Sequence, residues 1–260
     1  MPDPDLSLLV QAALAAGQVA DKFVGKTAKR WDKPDGGGPV TEADLAVNAF
    51  LEDTLRSARP DYGWLSEESA DTDDRLRHDR VFVVDPIDGT RSFAEGSRTW
   101  AHALAIVENG MSVAGVVYLP QRDLMYTAAI GKGAFLNKDP IQVSSQSDLN
   151  AGEMLVTRPN LNPKFWQAAV PTFRRAYRPS LAYRMGLVAQ GRFDGLLTFR
   201  PAWEWDIAAG DIILREAGAR CTDRSGQDLR FNNPHPALNG VVAANASLHS
   251  ATLAAMQTTT

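Results

Sequence analysis

The sequence predicts a layered protein of mixed α+β and α/β character. The layers form an αβαβα sandwich, with helices on an antiparallel sheet in an N-terminal half (residues 1–146) and a smaller α/β half after it (147–260). Three observations lead there. Two stretches of helical periodicity open the chain. Short apolar strands with tight turns follow between Val81 and Val143. Strand and helix then alternate to the end. A chain of 260 residues buries about 70–75% of its unfolded surface, enough for a core spread over several layers.

The elements follow in order. Leu6, Leu9, Val10, Ala13, Leu14 and Phe23 recur at helical spacing and predict a helix over about Asp5–Lys26. The start is acidic and lacks a basic segment, so it reads as an amphipathic helix rather than a secretion signal. Lys33–Pro39, rich in Gly and Pro, is a loop, and a second helix runs from Thr41 to just before Pro60. Strands are predicted at Val81–Val84, His102–Val107, Ser112–Tyr118, Leu124–Ala129 and Gly133–Leu136, with Asn109-Gly110 as a hairpin turn. After Ser147, Met154–Thr157, Gly195–Phe199 and Gly240–Ala243 read as strands. Pro163–Thr172, Ser180–Gln190 and Asp206–Ala217 read as helices, the last two stopped by Gly191 and Gly218. A final helix closes the chain.

The net charge of -4 and a pI of about 5.6 argue against nucleic acid held by bulk charge. Cys221 is the only cysteine, which excludes an intramolecular disulfide and a CxxC metal knuckle. No apolar stretch reaches the roughly 18 residues of a membrane span. The expected compartment is the cytoplasm, with neither nucleic acid nor membrane as partner.

The chemistry concentrates in acidic residues. Val81-Phe82-Val83-Val84-Asp85-Pro86-Ile87-Asp88-Gly89-Thr90 runs an apolar strand into two aspartates. Pro86 fixes the backbone where the strand ends, and Gly89 permits an unusual turn. The carboxylates can then converge at the strand's mouth, and the amides beyond Gly89 can face an anion. Glu67-Glu68 is a second acidic pair after a short apolar run. Asp206, in Trp205-Asp206-Ile207-Ala208-Ala209-Gly210, opens an apolar helix, which is also what an N-cap does. Thr41-Glu42-Ala43-Asp44 reads equally as a capping box and as part of a site.

Taken together, and in this order and spacing, these segments resemble the inositol monophosphatase superfamily over nearly the whole chain. The resemblance implies a magnesium-dependent, lithium-sensitive phosphomonoesterase that usually forms a homodimer. By that resemblance Glu67, Asp85 and the Ile87 carbonyl hold one metal, and Asp85, Asp88 and Asp206 a second. A third, weaker ion leans on Glu67, and Glu68 helps through water. The Gly89 and Thr90 amides bind the substrate phosphate. Asp44 and the Thr90 hydroxyl orient and polarise the attacking water. Simple electrostatics agree. Two carboxylates about 4 Å apart repel by about 4 kcal/mol at an effective dielectric of about 20, so such a cluster requires cations. Hard oxygen donors select Mg²⁺, or Mn²⁺ in its place, in a set of two to three ions.

The substrate is a small phosphorylated metabolite, and here the motifs diverge. Inositol-cleaving members keep an acidic residue at the position of Phe199; Glu204 is a candidate substitute. Ser180-Leu181-Ala182-Tyr183-Arg184 and Glu204-Trp205-Asp206 resemble the branch that cleaves 3′-phosphoadenosine 5′-phosphate. There Arg184 or Arg200 would meet a second phosphate, and Tyr183 or Trp203 would stack on a base. Asp88-Gly89-Thr90-Arg91-Ser92-Phe93 resembles the histidinol-phosphate branch. A partner of the transcription machinery, known in the same superfamily, is the non-enzymatic alternative.

Overall fold

The computed structural model describes residues 3–25, 28–33 and 38–257. The six helices among them are α1 (Pro4–Asp21), α2 (Glu42–Ala58), α3 (Thr90–Ala94), α4 (Leu181–Ala189), α5 (Glu204–Glu216) and α6 (Ala246–Ala255). Asp3 caps α1 by accepting from the amides of Asp5 and Leu6, and Pro4 stands in its first turn. Leu9, Ala12, Ala13, Ala16 and Ala20 form its buried stripe. The helix ends at Asp21, earlier than its periodicity suggests; Lys26 lies outside the described residues. The capping box of α2 is present. The Thr41 side chain accepts from the first turn, and the Asp44 carboxylate accepts from the Thr41 amide.

Strands β1 (Arg30–Asp32) and β2 (Pro39–Thr41) form a small antiparallel hairpin. The main sheet has seven strands in sequence order: β3 (Gly63–Ser66), β4 (Arg80–Asp88), β5 (Ala101–Glu108), β6 (Met111–Leu119), β7 (Leu124–Ala129), β8 (Ala134–Leu136) and β9 (Asp139–Ile141). It is antiparallel except for its first pair, since β3 runs parallel to β4. The remaining strands are β10 (Glu153–Val156), β11 (Arg174–Ala176), β12 (Gly195–Thr198), β13 (Ala202–Trp203), β14 (Arg220–Thr222), β15 (Ala237–Leu238) and β16 (Val241–Ala244). Five of them form a mixed sheet in the order β11-β10-β12-β16-β14, and β13 pairs with β15.

The period-two alternation of the strands explains the layering. In β4, Phe82 and Val84 face α1 and α2, together with Leu104, Ile106, Ala114 and Val116. Val81 and Val83 face the other way, into a core shared with α4, α5 and one face of the second sheet (Leu155, Leu196, Val241, Ala243). The far face of that sheet (Met154, Val156, Leu197, Val242) packs on Trp166, Phe173 and α6. The stack is therefore αβαβα, as the sequence predicts.

The predicted helix Pro163–Thr172 is not formed. Only a single 3₁₀ turn, Pro163–Phe165, appears there. Trp166 is drawn into the core, where its indole N–H donates to the Asn160 carbonyl and its backbone bridges to Met256. A tertiary anchor here overrides local helical spacing. Among the described residues no helix is long and apolar enough to cross a membrane.

Candidate active site

Strand β4 carries the acidic motif past its regular pairing. Asp85 faces Ala103 and Asp88 faces Ala101, with an irregularity in register between them. Pro86 has no amide proton to give the ladder. Its carbonyl is held instead by the His102 ring, which is buried on β5. The Asp85 carboxylate folds back to accept from the Ile87 amide at 3.0 Å. Gly89 then takes φ +102°, a conformation L side chains rarely adopt, and opens α3.

Asp206 arrives from the other half of the sequence. It is the third residue of α5, whose N-cap position is Trp203, so the reading of Asp206 as a cap is corrected. Its place is set by close packing. A Cβ on Gly115 of β6 would stand 2.6 Å from Ile212 and 2.9 Å from the Ala209 carbonyl, so α5 lies directly on the main sheet. One carboxylate oxygen each of Asp85, Asp88 and Asp206 then fall within 4.8 Å of one another.

This cluster holds more negative charge than the protein neutralises. Burial, and then the neighbouring Glu67, Asp88, Asp206 and Asp44, push the Asp85 carboxyl well above the usual range. Desolvation and the Asp88 charge do the same to Asp206. Asp88 is also raised by burial, although the Ser180 hydroxyl donates to it at 2.7 Å and the Ala182 amide at 2.6 Å. Ser180 holds this post with φ +65°, an uncommon backbone angle for a side chain with a Cβ. The donor set is all oxygen, buried and crowded, which fits a hard divalent cation.

Glu67 and Glu68 follow β3 at the edge of the cleft. Lys33, delivered by the β1–β2 hairpin, pairs with Glu67 at 2.9 Å and with Glu68 at 2.8 Å. Burial raises Glu68 to about 7 despite that partner. Asp44 sits between the two uses read from sequence. One oxygen accepts from the Thr41 amide at 2.9 Å and from the Thr41 hydroxyl. The other accepts from the Thr90 hydroxyl at 2.9 Å, with the Ile87 carbonyl 3.1 Å from the same hydroxyl. The same side chain therefore caps α2 and reaches the Gly89–Thr90 turn. Burial raises its pKa, against those hydrogen bonds.

A cavity of about 220 Å³ opens over these groups. Glu67, Asp85, Asp88, Gly89, Thr90 and Asp206 line it, and so do Ser180, Arg184 and Arg200. Arg184 is buried rather than solvated, at 5% exposure. Two candidate substrate contacts lie elsewhere. Tyr183 is buried against Tyr126 and beneath Arg122, because its place on α4 turns it toward the main sheet. Glu204 is fully buried. Its carboxylate accepts from the Asn232 amide (2.6 Å), the Asn233 amide (2.9 Å) and the Asn233 side chain (2.7 Å), so its oxygens are occupied. Trp203 is exposed and stacks on Trp205 with ring centroids 4.9 Å apart; it does not line the cavity. Sequence reasoning missed Lys33 and Tyr177, the latter on the cavity rim. Neither sits in a local motif, and only the tertiary fold brings them here.

The sequence matches the family model described as the inositol monophosphatase family over residues 1–260. Histidinol-phosphatase of Mycobacterium tuberculosis is 34% identical, covering 97% of this chain and 98% of the relative. Inositol-1-monophosphatase of Mesorhizobium japonicum is 33% identical, covering 97% and 96%. The solved structure of a Thermotoga maritima IMPase superposes with a TM-score of 0.82 at 29% identity, covering 98% of this chain and 96% of that one.

Proposed function

The chain belongs to the inositol monophosphatase family, and on that premise we propose that it is a Mg²⁺-dependent phosphomonoesterase acting on a small phosphorylated metabolite. The observation that carries this reading is the meeting of Asp85, Asp88 and Asp206 beside the Thr90–Asp44 hydrogen bond. Glu67, Asp85, the Ile87 carbonyl, Asp88 and Asp206 would hold the metal. When bound, it would supply Lewis-acid polarisation of a phosphoryl oxygen and a lowered water pKa.

The chain's own residues do the rest. Gly89 and Thr90 open α3, and their amides, at the start of a helical turn, receive the substrate phosphate. Because the Thr90 hydroxyl donates its proton to Asp44, its lone pairs remain free to accept from a water. That water is thereby aligned for attack on phosphorus. Its proton passes through the Thr90 oxygen to Asp44, whose raised pKa suits a proton acceptor. The bond from phosphorus to the ester oxygen breaks, and the leaving alkoxide takes a proton from solvent. Lys33, itself paired with Glu68, steadies Glu67 from behind.

The test is phosphate release from a panel of monoesters. Release should need Mg²⁺, stop with a chelator, and stop in a folded Asp88→Asn variant. Release that persists in that variant would overturn the assignment of the metal residues.

A further inference from the structure

Asp85 and Asp88 share a cavity that strand alternation alone would deny them. Successive side chains on a strand point to opposite faces, so two residues three apart should face opposite ways. Val81 and Val83 face α4 and α5, and Phe82 and Val84 face α1 and α2. By that count Asp88 belongs under α1 and α2, away from Asp206. It accepts instead from Ser180 and Ala182 at the start of α4, and Ile87 takes the place under α1 and α2. The register explains the exchange. Asp85 pairs with Ala103 and Asp88 with Ala101, so β4 carries one residue more than β5 over this stretch. The extra residue is a β-bulge, and it turns Asp88 onto the face of Asp85.

A bulge leaves backbone groups outside the ladder, and buried ones need partners. Pro86 and Ile87 pair with no residue of β5 in this register. The Ile87 amide is answered by the Asp85 carboxylate, and the Pro86 carbonyl by Nδ1 of His102. A carbonyl oxygen only accepts, so Nδ1 carries the proton and donates. His102 is fully buried, with the Trp100 ring 5.4 Å and the Tyr118 ring 6.4 Å from its own, centroid to centroid. Among the described residues its Nε2 has no hydrogen-bond partner. An imidazole with one nitrogen unanswered is costly in such surroundings, where an apolar side chain would pack without that loss. The bond to Pro86 is what the ring contributes in return.

We propose that His102 is a positioning residue for the metal site: its Nδ1–H, held on the Pro86 carbonyl, fixes the β4 bulge that brings Asp85 and Asp88 to one face, and so sets the affinity for the divalent cation. This rests on the phosphatase reading above. His102 acts through the backbone of the motif and not on the substrate. What the site requires is then a donor at one place rather than a histidine as such. The side-chain amide of asparagine can present an N–H where Nδ1 stands, whereas leucine fills similar space and donates nothing.

The experiment measures Mn²⁺ binding to the full-length protein at pH 8, by loss of the free ion's electron paramagnetic resonance signal. The ring is neutral there, so no variant changes the charge. His102→Leu should weaken binding by about 10-fold or more, the range for losing a partner behind a metal ligand. The Mg²⁺ concentration that gives half-maximal phosphate release should rise by the same factor. His102→Asn should fall short of that range in both readouts, within about threefold of wild type. Leu104→Ala, on the same face of β5, opens a cavity and lowers Tm but should leave Mn²⁺ affinity within the same margin. In the wild-type protein, nitrogen-15 NMR should show His102 with its proton on Nδ1, a result that needs no variant to fold. Wild-type affinity in a folded His102→Leu, no recovery in His102→Asn, an equal loss in Leu104→Ala, or a proton on Nε2 overturns the role of His102 and spares the phosphatase reading. Failure of the wild-type protein to take up Mn²⁺ overturns both.

Discussion

Glu204 and Asp206 stand two residues apart on the first turn of α5, and they are treated in opposite ways. The Glu204 carboxylate is surrounded by donors from Asn232 and Asn233. Arg75 fastens the same loop by bonding to the Asn232 side chain at 2.6 Å and the Asn233 carbonyl at 2.9 Å. Nothing more is needed from outside. Among the described residues no group donates a hydrogen bond to Asp206, which faces Asp85 and Asp88, and burial raises Asp206 and Glu204 alike. The contrast separates an acid whose charge the fold answers from one whose charge it leaves unanswered. Burial alone does not make the distinction; the balance of donors does.

The largest test of that contrast is to neutralise Asp206. Asp206→Asn should lower kcat/KM by about a thousandfold or more, the several kcal/mol a metal contributes. The metal-free protein should melt no lower than wild type, because a repelling charge is gone. A lower melting point without metal would break the comparison. Glu204→Ala should do the reverse. It leaves the two asparagine amides without their acceptor and costs about 3 kcal/mol, or about 6–12 °C in Tm by calorimetry. At saturating Mg²⁺ its kcat should fall far less than that of Asp206→Asn.

A subtler effect lies in pH. The raised Asp85 and Asp206 favour their protonated forms in the metal-free fold. Their contribution to stability is therefore present at low pH and lost as pH rises through their folded pKa values. Mg²⁺ held at the proposed site would compete with those protons. Its stabilising shift in Tm should be greatest near pH 8 and shrink toward pH 5, and a shift independent of pH would count against the site. The smallest effect sits behind the cluster. Burial lowers His102 to about 4, so its contribution is full above its ordinary pKa of about 6.5 and fades as pH falls through about 4. A His102→Gln variant should flatten the acid limb of a Tm–pH curve between those values while changing little at pH 8.

How much of this the sequence disclosed depends on distance along the chain. The segment from Val81 to Thr90 is local, so its strand, its proline and its glycine turn are legible residue by residue, and the structure has them. The layers follow from alternating burial in β4 to β7. The dual use of Asp44 is half legible: the capping box is a four-residue pattern, but the bond to Thr90 needs β4 to lie beside α2. Glu204, Tyr183 and Arg184 could not be told apart by type. Only the direction each takes from its helix decides which one meets the cavity. The absent helix after Pro163 has the same origin, since Trp166 answers to a core assembled from distant strands.

The contact of α5 with the bare backbone at Gly115 has a consequence in time. Strands β5 to β9 are joined by short turns and can pair as soon as that region is synthesised. Asp206 joins them only after the helices and strands of the second layer have been made and α5 has docked. On the proposed metal reading, tight capture would therefore be a late event, and cations would not hold a nascent chain in a half-built shape. Adding a methyl at Gly115 would interfere with that final docking, and metal affinity measured during refolding would lag behind the recovery of β-sheet signal.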